Sequence, residues 1–414
     1  MKNGIMRSVL LAVLFVACHQ SEDTMEKTAP PESTTFGDDL AFLTEHAEVV
    51  VLSDEGGQAQ VVVSPAMQGR VLTSTAAGDR GLSHGWINRA LIASGQRQEH
   101  INVFGGEDRF WLGPEGGQFS IYFREGDPFD LEHWYVPAAI DWEPFSVVAQ
   151  ARDRIVFEKT MRLENYSGTT FDLRVDREVR LLGPAEVAEQ LGLAPGAAVN
   201  VVAFESVNTI TNTGDAAWTR EGGLVSIWIL GMFNPSPATT VVIPYKPGSE
   251  AERGPVVNAA YFGEVPADRL IVEDDVVYFK GDGEYRSKIG LSSKRSEPTF
   301  GSYDADNRVL TLVQYTMPEG ATAYVNSMWE LQEEPYAGDV INSYNDGPPE
   351  PGADPLGPFY ELETSSPAAA LAPGASLTHV HRTFHVQGAE ETLDRIAVET
   401  LGKTLEEIRS AFAQ

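Results

Sequence analysis

The sequence predicts an all-β protein of antiparallel sheets, and three observations lead there. Its 38 glycines and 25 prolines break 414 residues into many short runs, as turn-formers do between short strands. Long stretches alternate apolar and polar residues, as in "RIVFEKTMRLENYSGTTFDLRVDREVRLL", the period-two pattern of a strand with one buried face. No repeat with a period of about 20–50 residues is visible, which argues against propellers and solenoids.

At the start of the chain, Lys2 and Arg7 precede the apolar run "VLLAVLFVA", Val9 to Ala17. The run is too short to span a bilayer and has the build of a secretory signal. Cys18 follows at once and is the only cysteine, so the mature chain has no disulfide. "LFVAC" resembles a bacterial lipobox, with Phe15 where a small aliphatic residue is usual. The expectation is a signal peptide over 1–17, a lipid on Cys18 and a polar Pro/Ser/Thr-rich tether over 18–40. That describes an exported lipoprotein of a Gram-negative bacterium, periplasmic or at the outer membrane, touching the bilayer through its lipid anchor only.

The formal charge of −30, from 60 acidic and 30 basic residues, repels phosphate backbones and excludes nucleic acid as a natural partner. It also keeps an exported protein soluble, and it names no substrate.

From about residue 41 the strands follow in order. "AEVVVLSDEGGQAQVVVSPAMQGRVLTSTA" holds three, broken at Glu55–Gly57 and Ser64–Gly69, and the long alternating pair turns at Asn165–Gly168. "PAEVAEQLGL" is a short helix with proline inside its start and glycine at its end. Strands resume with "VNVVAFESVNTITNTG", "GLVSIWILGMF", "TTVVIPYK", "RLIVEDDVVYFKGDG", "YRSKIGLSS" and "NRVLTLVQYTM". A long Pro/Gly/Asp loop leads to a strand from about Phe359, a short strand over 368–372 and a last strand ending near Val386. Residues 389–414 are expected to pack as a C-terminal helix on a domain spanning 41–388. Thr404 and Glu407 fit a capping box that restarts the helix after Gly402.

The acidic "L-E-T" strand, an aliphatic stretch, "L-x-P-G-x-S" and a closing strand resemble the C-terminal end of the galactose mutarotase-like (aldose 1-epimerase) superfamily. "NTITNTG" with Trp218, and "GGEDRFWLGPEGG", are reminiscent of secreted members of that group. The resemblance implies an antiparallel β-supersandwich with an open carbohydrate groove, and it implies that Glu363 is the general base. The chain departs from the family in two places: Ser365 stands where the epimerases have glutamine, and there is no "N-H-x-x-F-N-L" segment.

Strand alternation places Glu361 with Glu363, and His379 with His381, Thr383 and His385. Carboxylates and an imidazole on neighbouring strands can divide base and acid roles, so Glu363, His381 and Glu361 form the expected catalytic set. The same groups are ligands for zinc or calcium, and on a solvated hairpin face they would be neither; no metal or cofactor is assigned. In "HINVFGGEDRFWLGPEGG" two diglycines bracket an excursion that would carry Glu107, Asp108, Arg109 and Trp111 to a sugar, with Trp134 and Tyr135 as a second plate. The competing reading is a hairpin with an internal ion pair and a core tryptophan. Ile289 and Leu291 facing the core would put Arg286 and Lys288 opposite, where a cation meets a uronic acid carboxylate. Lys288, Asn345 and Asp346 complete the expected substrate-binding residues. Two functions are open: an acid/base sugar epimerase or lyase, and a non-catalytic glycan-binding lipoprotein.

Overall fold

The computed structural model describes residues 34–193, 198–350 and 352–413, so the signal segment, Cys18 and the tether as far as residue 33 lie outside the described residues. The longest alternating pair forms a hairpin, Arg154–Glu164 with Thr170–Leu181, and its second strand buries every other side chain. The turn is built by Asn165, whose side-chain oxygen accepts from the Thr169 amide at 2.9 Å, and by Gly168 at φ 77°.

This hairpin lies next to one edge of a ten-stranded antiparallel sheet. From one edge its strands are Leu270–Val272, Val276–Lys280, Thr239–Pro244, Thr299–Asp304, Val309–Tyr315, Ser376–Gly388, Val199–Asn212, the hairpin, and Ser146–Gln150. A five-stranded sheet runs Ser287–Ser292, Asp339–Asn345, Tyr360–Ser365, Ser226–Phe233, Arg109–Gly113. Val50–Ser53, Gln60–Ser64 and Arg70–Thr75 make a third, broken at the two turns the sequence marks. Every pairing within these sheets is antiparallel.

The five-stranded sheet lays one face on the ten-stranded sheet. Phe233, Ile289, Ile341 and Leu362 meet Val241, Phe279, Phe300 and Val313 there, an apolar layer between stacked sheets. The protein is thus all-β, with helices as accessories. The opposite face of the large sheet is covered at the C-terminus by Glu390–Leu401 and Leu405–Ser410, whose Leu393, Ile396, Leu401, Leu405 and Ile408 pack on Tyr278, Leu310, Leu312 and Phe384. Gly402, at φ 71°, separates the two helices, and Thr404 caps the second in a capping box with Glu407.

Three expectations need correction. The segment taken as tether up to residue 40 becomes helix at Phe36–His46, capped by Thr35 and anchored through Phe36 and Leu43 beside the three-stranded sheet. Residues 368–372 form no strand and pair in no ladder; they run along the core through Ala369 and Leu371. Asp339–Asn345, absent from the expected strands and placed from Ser343 in the long loop, is an inner strand of the five-stranded sheet.

Candidate functional site

The five-stranded sheet has a second face, turned away from the large sheet. Its registers align Asn342, Glu363, Leu230 and Arg109 in one row and Lys288, Tyr344, Glu361 and Met232 in another. Trp111 and Trp228 are cross-strand partners in the row beyond, their rings 5.5 Å apart edge to face. Alternation gives all of these side chains the same side of the sheet.

Two buried ion pairs cross this face. An Arg109 nitrogen donates to Glu361 Oε1 at 3.0 Å, and Lys288 Nζ donates to Glu363 Oε2 at 3.0 Å. Trp228 Nε1 donates to the same Glu363 oxygen at 2.8 Å. The cations also lie on rings: Arg109 is 4.2 Å from the Trp111 centroid and Lys288 Nζ 4.8 Å from that of Trp228. Glu363 is 0% exposed and Lys288 7%.

Loops roof the face and leave a cavity of about 130 Å³ over Lys288. Glu115, Leu131, Tyr261, Phe262, Arg286, Ser327, Met328 and Trp329 complete its lining. Tyr261 is fixed from behind, donating its hydroxyl to Asp339 at 2.6 Å and accepting from Asn342 at 3.1 Å. Burial pushes the Glu115 carboxyl up to about 7 against the pull of Lys288. Burial likewise raises Glu361 to about 8; Arg109 opposes the rise and Glu363 adds to it. Burial alone would lower Lys288, but Glu363, Glu115 and Glu361 outweigh it and hold its ammonium charged. At neutral pH the cavity therefore sets a carboxyl close to half-ionised beside a firmly held ammonium, the protonation states a base and an acid require. Among the described residues no cluster of three or more ligating side chains is arranged to hold a metal ion.

Of the expected site residues, Arg109, Trp111, Lys288, Glu361 and Glu363 converge here. His381 does not. Thr364, the neighbour of Glu363, points to the other face of its strand, and its hydroxyl meets His379 Nε2 at 2.8 Å and His381 Nδ1 at 2.9 Å. The histidines thus lie between the two stacked sheets while Glu363 lies on the far side of its own, so the proposed base–acid pair is separated by a sheet. Burial lowers His379 and His385 to about 3 and His381 to about 4, so all three are neutral.

Glu107 and Asp108 also turn inward rather than toward a ligand. Glu107 bonds His385 Nε2 at 2.8 Å and accepts from Ser74 at 2.9 Å, and Asp108 pairs with Arg177 at 2.7 Å with both side chains fully buried. The diglycine before them serves protein contacts: a Cβ on Gly105 would sit 2.1 Å from the Trp86 carbonyl oxygen, and one on Gly106 2.6 Å from that of Val71. Asn345 accepts from the Gly283 amide at 2.9 Å and donates to Asp282 at 3.1 Å, bracing a turn. Asp346 accepts from the Tyr344 hydroxyl at 2.6 Å and the Gly357 amide at 2.8 Å. Both are structural. Trp134 stacks on Tyr122 and meets Trp329 at a tilt, behind the cavity wall.

Sequence reasoning missed Glu115, Tyr261, Trp228 and Trp329. Glu115 lies between the diglycines, just past the strand that ends at Gly113, and Trp228 shares its parity with Leu230 and Met232; those signals were present. Nothing local marks Tyr261 or Trp329, which arrive on loops.

A family model described as a family of unknown function (DUF6786) matches residues 34–412. No curated protein matches the chain. Among solved structures, the chain is similar to the Slr1438 protein from Synechocystis sp. PCC 6803, with 14% identity, 83% of this chain and 96% of that one covered, and a TM-score of 0.49. An Escherichia coli K12 protein proposed to be an aldose 1-epimerase aligns at 14% identity over 83% of this chain and 99% of its own, TM-score 0.48. A galactose mutarotase-like protein from Lactobacillus casei ATCC 334 aligns at 10% identity over 82% and 100%, TM-score 0.44. No residue role is transferred across likenesses this distant.

Proposed function

The chain belongs to the family of unknown function DUF6786, which its residues 34–412 match, and from that premise we propose that it binds a carbohydrate in the cavity over Lys288 and transfers protons there. One observation carries the reading: Glu115, raised to about 7, and the ammonium of Lys288 line the same cavity. Such a carboxylate removes a hydroxyl proton near neutral pH, and such an ammonium returns one to a ring oxygen, which is the chemistry of an epimerase. Trp329, Tyr261 and Phe262 supply the flat apolar surfaces that a sugar ring packs on. The "L-E-T" resemblance points to the same substrate class. In this reading Glu363 holds Lys288 in place and in its charged form rather than meeting the sugar.

A second reading, sugar binding without turnover, draws on the complete burial of Glu363, the residue that the resemblance marks as base. Anomer exchange, followed by proton NMR across a panel of aldoses, separates the two. Glu115→Gln is expected to lower exchange by about 10²–10⁴-fold, the usual worth of a general base, while Trp329→Ala weakens binding. Wild-type protein that binds an aldose without exchanging its anomers supports the second reading, and protein that binds none refutes both. We also propose that the chain is exported and anchored through Cys18, on the strength of the "LFVAC" segment and the charged, apolar and polar runs around it.

A further inference from the structure

Three cations and three carboxyls lie on or around the proposed sugar site, and only four of the six are joined in salt bridges. Arg109 is matched by Glu361, and Lys288 by Glu363. Arg286 lines the cavity beside Lys288, two residues away in the chain, yet among the described residues no carboxylate lies within salt-bridge distance of it; the Tyr344 hydroxyl is its near polar neighbour, and its charge acts on Asp346 and Glu115 from further off. Its guanidinium is held over the Phe262 ring at 4.0 Å, and stacking of this kind spares the in-plane donors that the Tyr344 hydroxyl does not take. The remaining charge, Glu115, has no salt-bridge partner among the described residues, and burial raises its carboxyl to about 7. A protein with a formal charge of −30 thus carries in this cavity a cation that no carboxylate among the described residues meets in a salt bridge.

A guanidinium without a carboxylate partner, next to an ammonium, is a receptor for a planar anion. Arginine offers two parallel N–H donors that match a carboxylate, and lysine adds a point charge. Resting on the carbohydrate reading above, we propose that the ligand is an acidic sugar, a uronate, whose carboxylate is held by Arg286 and Lys288 while its ring lies against Trp329 and Phe262. The closeness of Glu115 then favours the uronate further as that carboxyl takes up a proton.

Calorimetric titration tests this with methyl glucuronide and methyl galacturonide, their neutral counterparts methyl glucoside and methyl galactoside, and glucose 6-phosphate. The expected result is that at least one uronate binds the wild type tenfold or more tightly than its neutral counterpart. Arg286→Gln is expected to erase that gap, leaving the affinity for the neutral glycoside and the Tm unchanged, and Arg286→Lys to recover only part of it. Because Arg286 is half-exposed at the cavity mouth, neither variant threatens the fold. Neutral glycosides binding as well as uronates overturn the acidic-sugar inference and leave the carbohydrate reading standing. Glucose 6-phosphate binding more tightly than both uronates overturns the carboxylate assignment. Failure of every saccharide to bind overturns both readings together.

Discussion

Replacing His381 by glutamine isolates the electrostatic cost of the histidine line between the sheets. His381 is fully buried, and burial lowers it to about 4, with Asp108 opposing and Arg177 reinforcing the shift. In the unfolded chain an imidazole titrates near 6.5. Above that value neither state binds the proton and nothing is lost. As pH falls below 6.5, the unfolded chain takes up a proton that the folded protein refuses, so stability declines until pH reaches the folded value. The span from 6.5 to about 4 is worth about 3 kcal/mol, and about 2 kcal/mol of it is already lost at pH 5, at roughly 1.4 kcal/mol per pH unit. Glu107, Glu115 and Glu361, all raised by burial, work in the opposite sense: they bind protons more readily when folded and favour the fold as pH drops. Wild-type stability alone therefore cannot isolate the histidine, but the difference between wild type and His381→Gln can. Glutamine keeps an amide for Thr364 and does not titrate. Urea unfolding followed by tryptophan fluorescence at pH 7.5 and pH 5 should show the variant's deficit shrinking by about 2 kcal/mol at the lower pH. A deficit equal at both pH values would mean that His381 is solvated or paired in the folded state, and the reasoning would fail.

Two further outcomes follow from single contacts. Lys288→Met leaves Glu363 fully buried without its cation and should cost about 3–5 kcal/mol in urea unfolding, whereas Lys288→Met combined with Glu363→Gln should recover most of that loss; equal stability of the two variants would show the pair to be uncoupled. Cys18→Ser should move the protein from the membrane fraction to the soluble one on ultracentrifugation, and unchanged partitioning would remove the lipid anchor from the account.

The strands were legible wherever one face is buried and the other wet, as in Thr170–Leu181, because water enforces the alternation. Asp339–Asn345 escaped for the opposite reason. It is an inner strand roofed on both faces, so Asn342, Ser343 and Asn345 are buried beside Val340 and Ile341 and no alternation survives. The helix at Phe36–His46 was hidden by the Pro/Ser/Thr-rich run before it, although Thr35 and Asp38 already carried its cap. At the site, parity correctly grouped Glu361 with Glu363 and set Lys288 opposite Ile289 and Leu291. Parity within a strand, however, does not say which faces of two strands in different sheets meet. Glu363 and His381 belong to different sheets, and it is Thr364, of the other parity, that faces His381. Lys288 and Glu363 owe their burial to loops far away in sequence, which no local pattern announces.

The Thr364 hydroxyl sits between two neutral imidazoles and owns a single proton. It can donate to one ring only, so at least one of His379 and His381 must present N–H to that oxygen, whose two lone pairs can accept from either ring or from both. The tautomers are therefore tied in one respect: the two rings cannot both present lone pairs to the hydroxyl, and a ring that gives up its N–H there requires its neighbour to supply one. Replacing Thr364 with valine would remove the link and let each histidine choose its tautomer independently, a change that the ring nitrogen-15 shifts of the two residues would register.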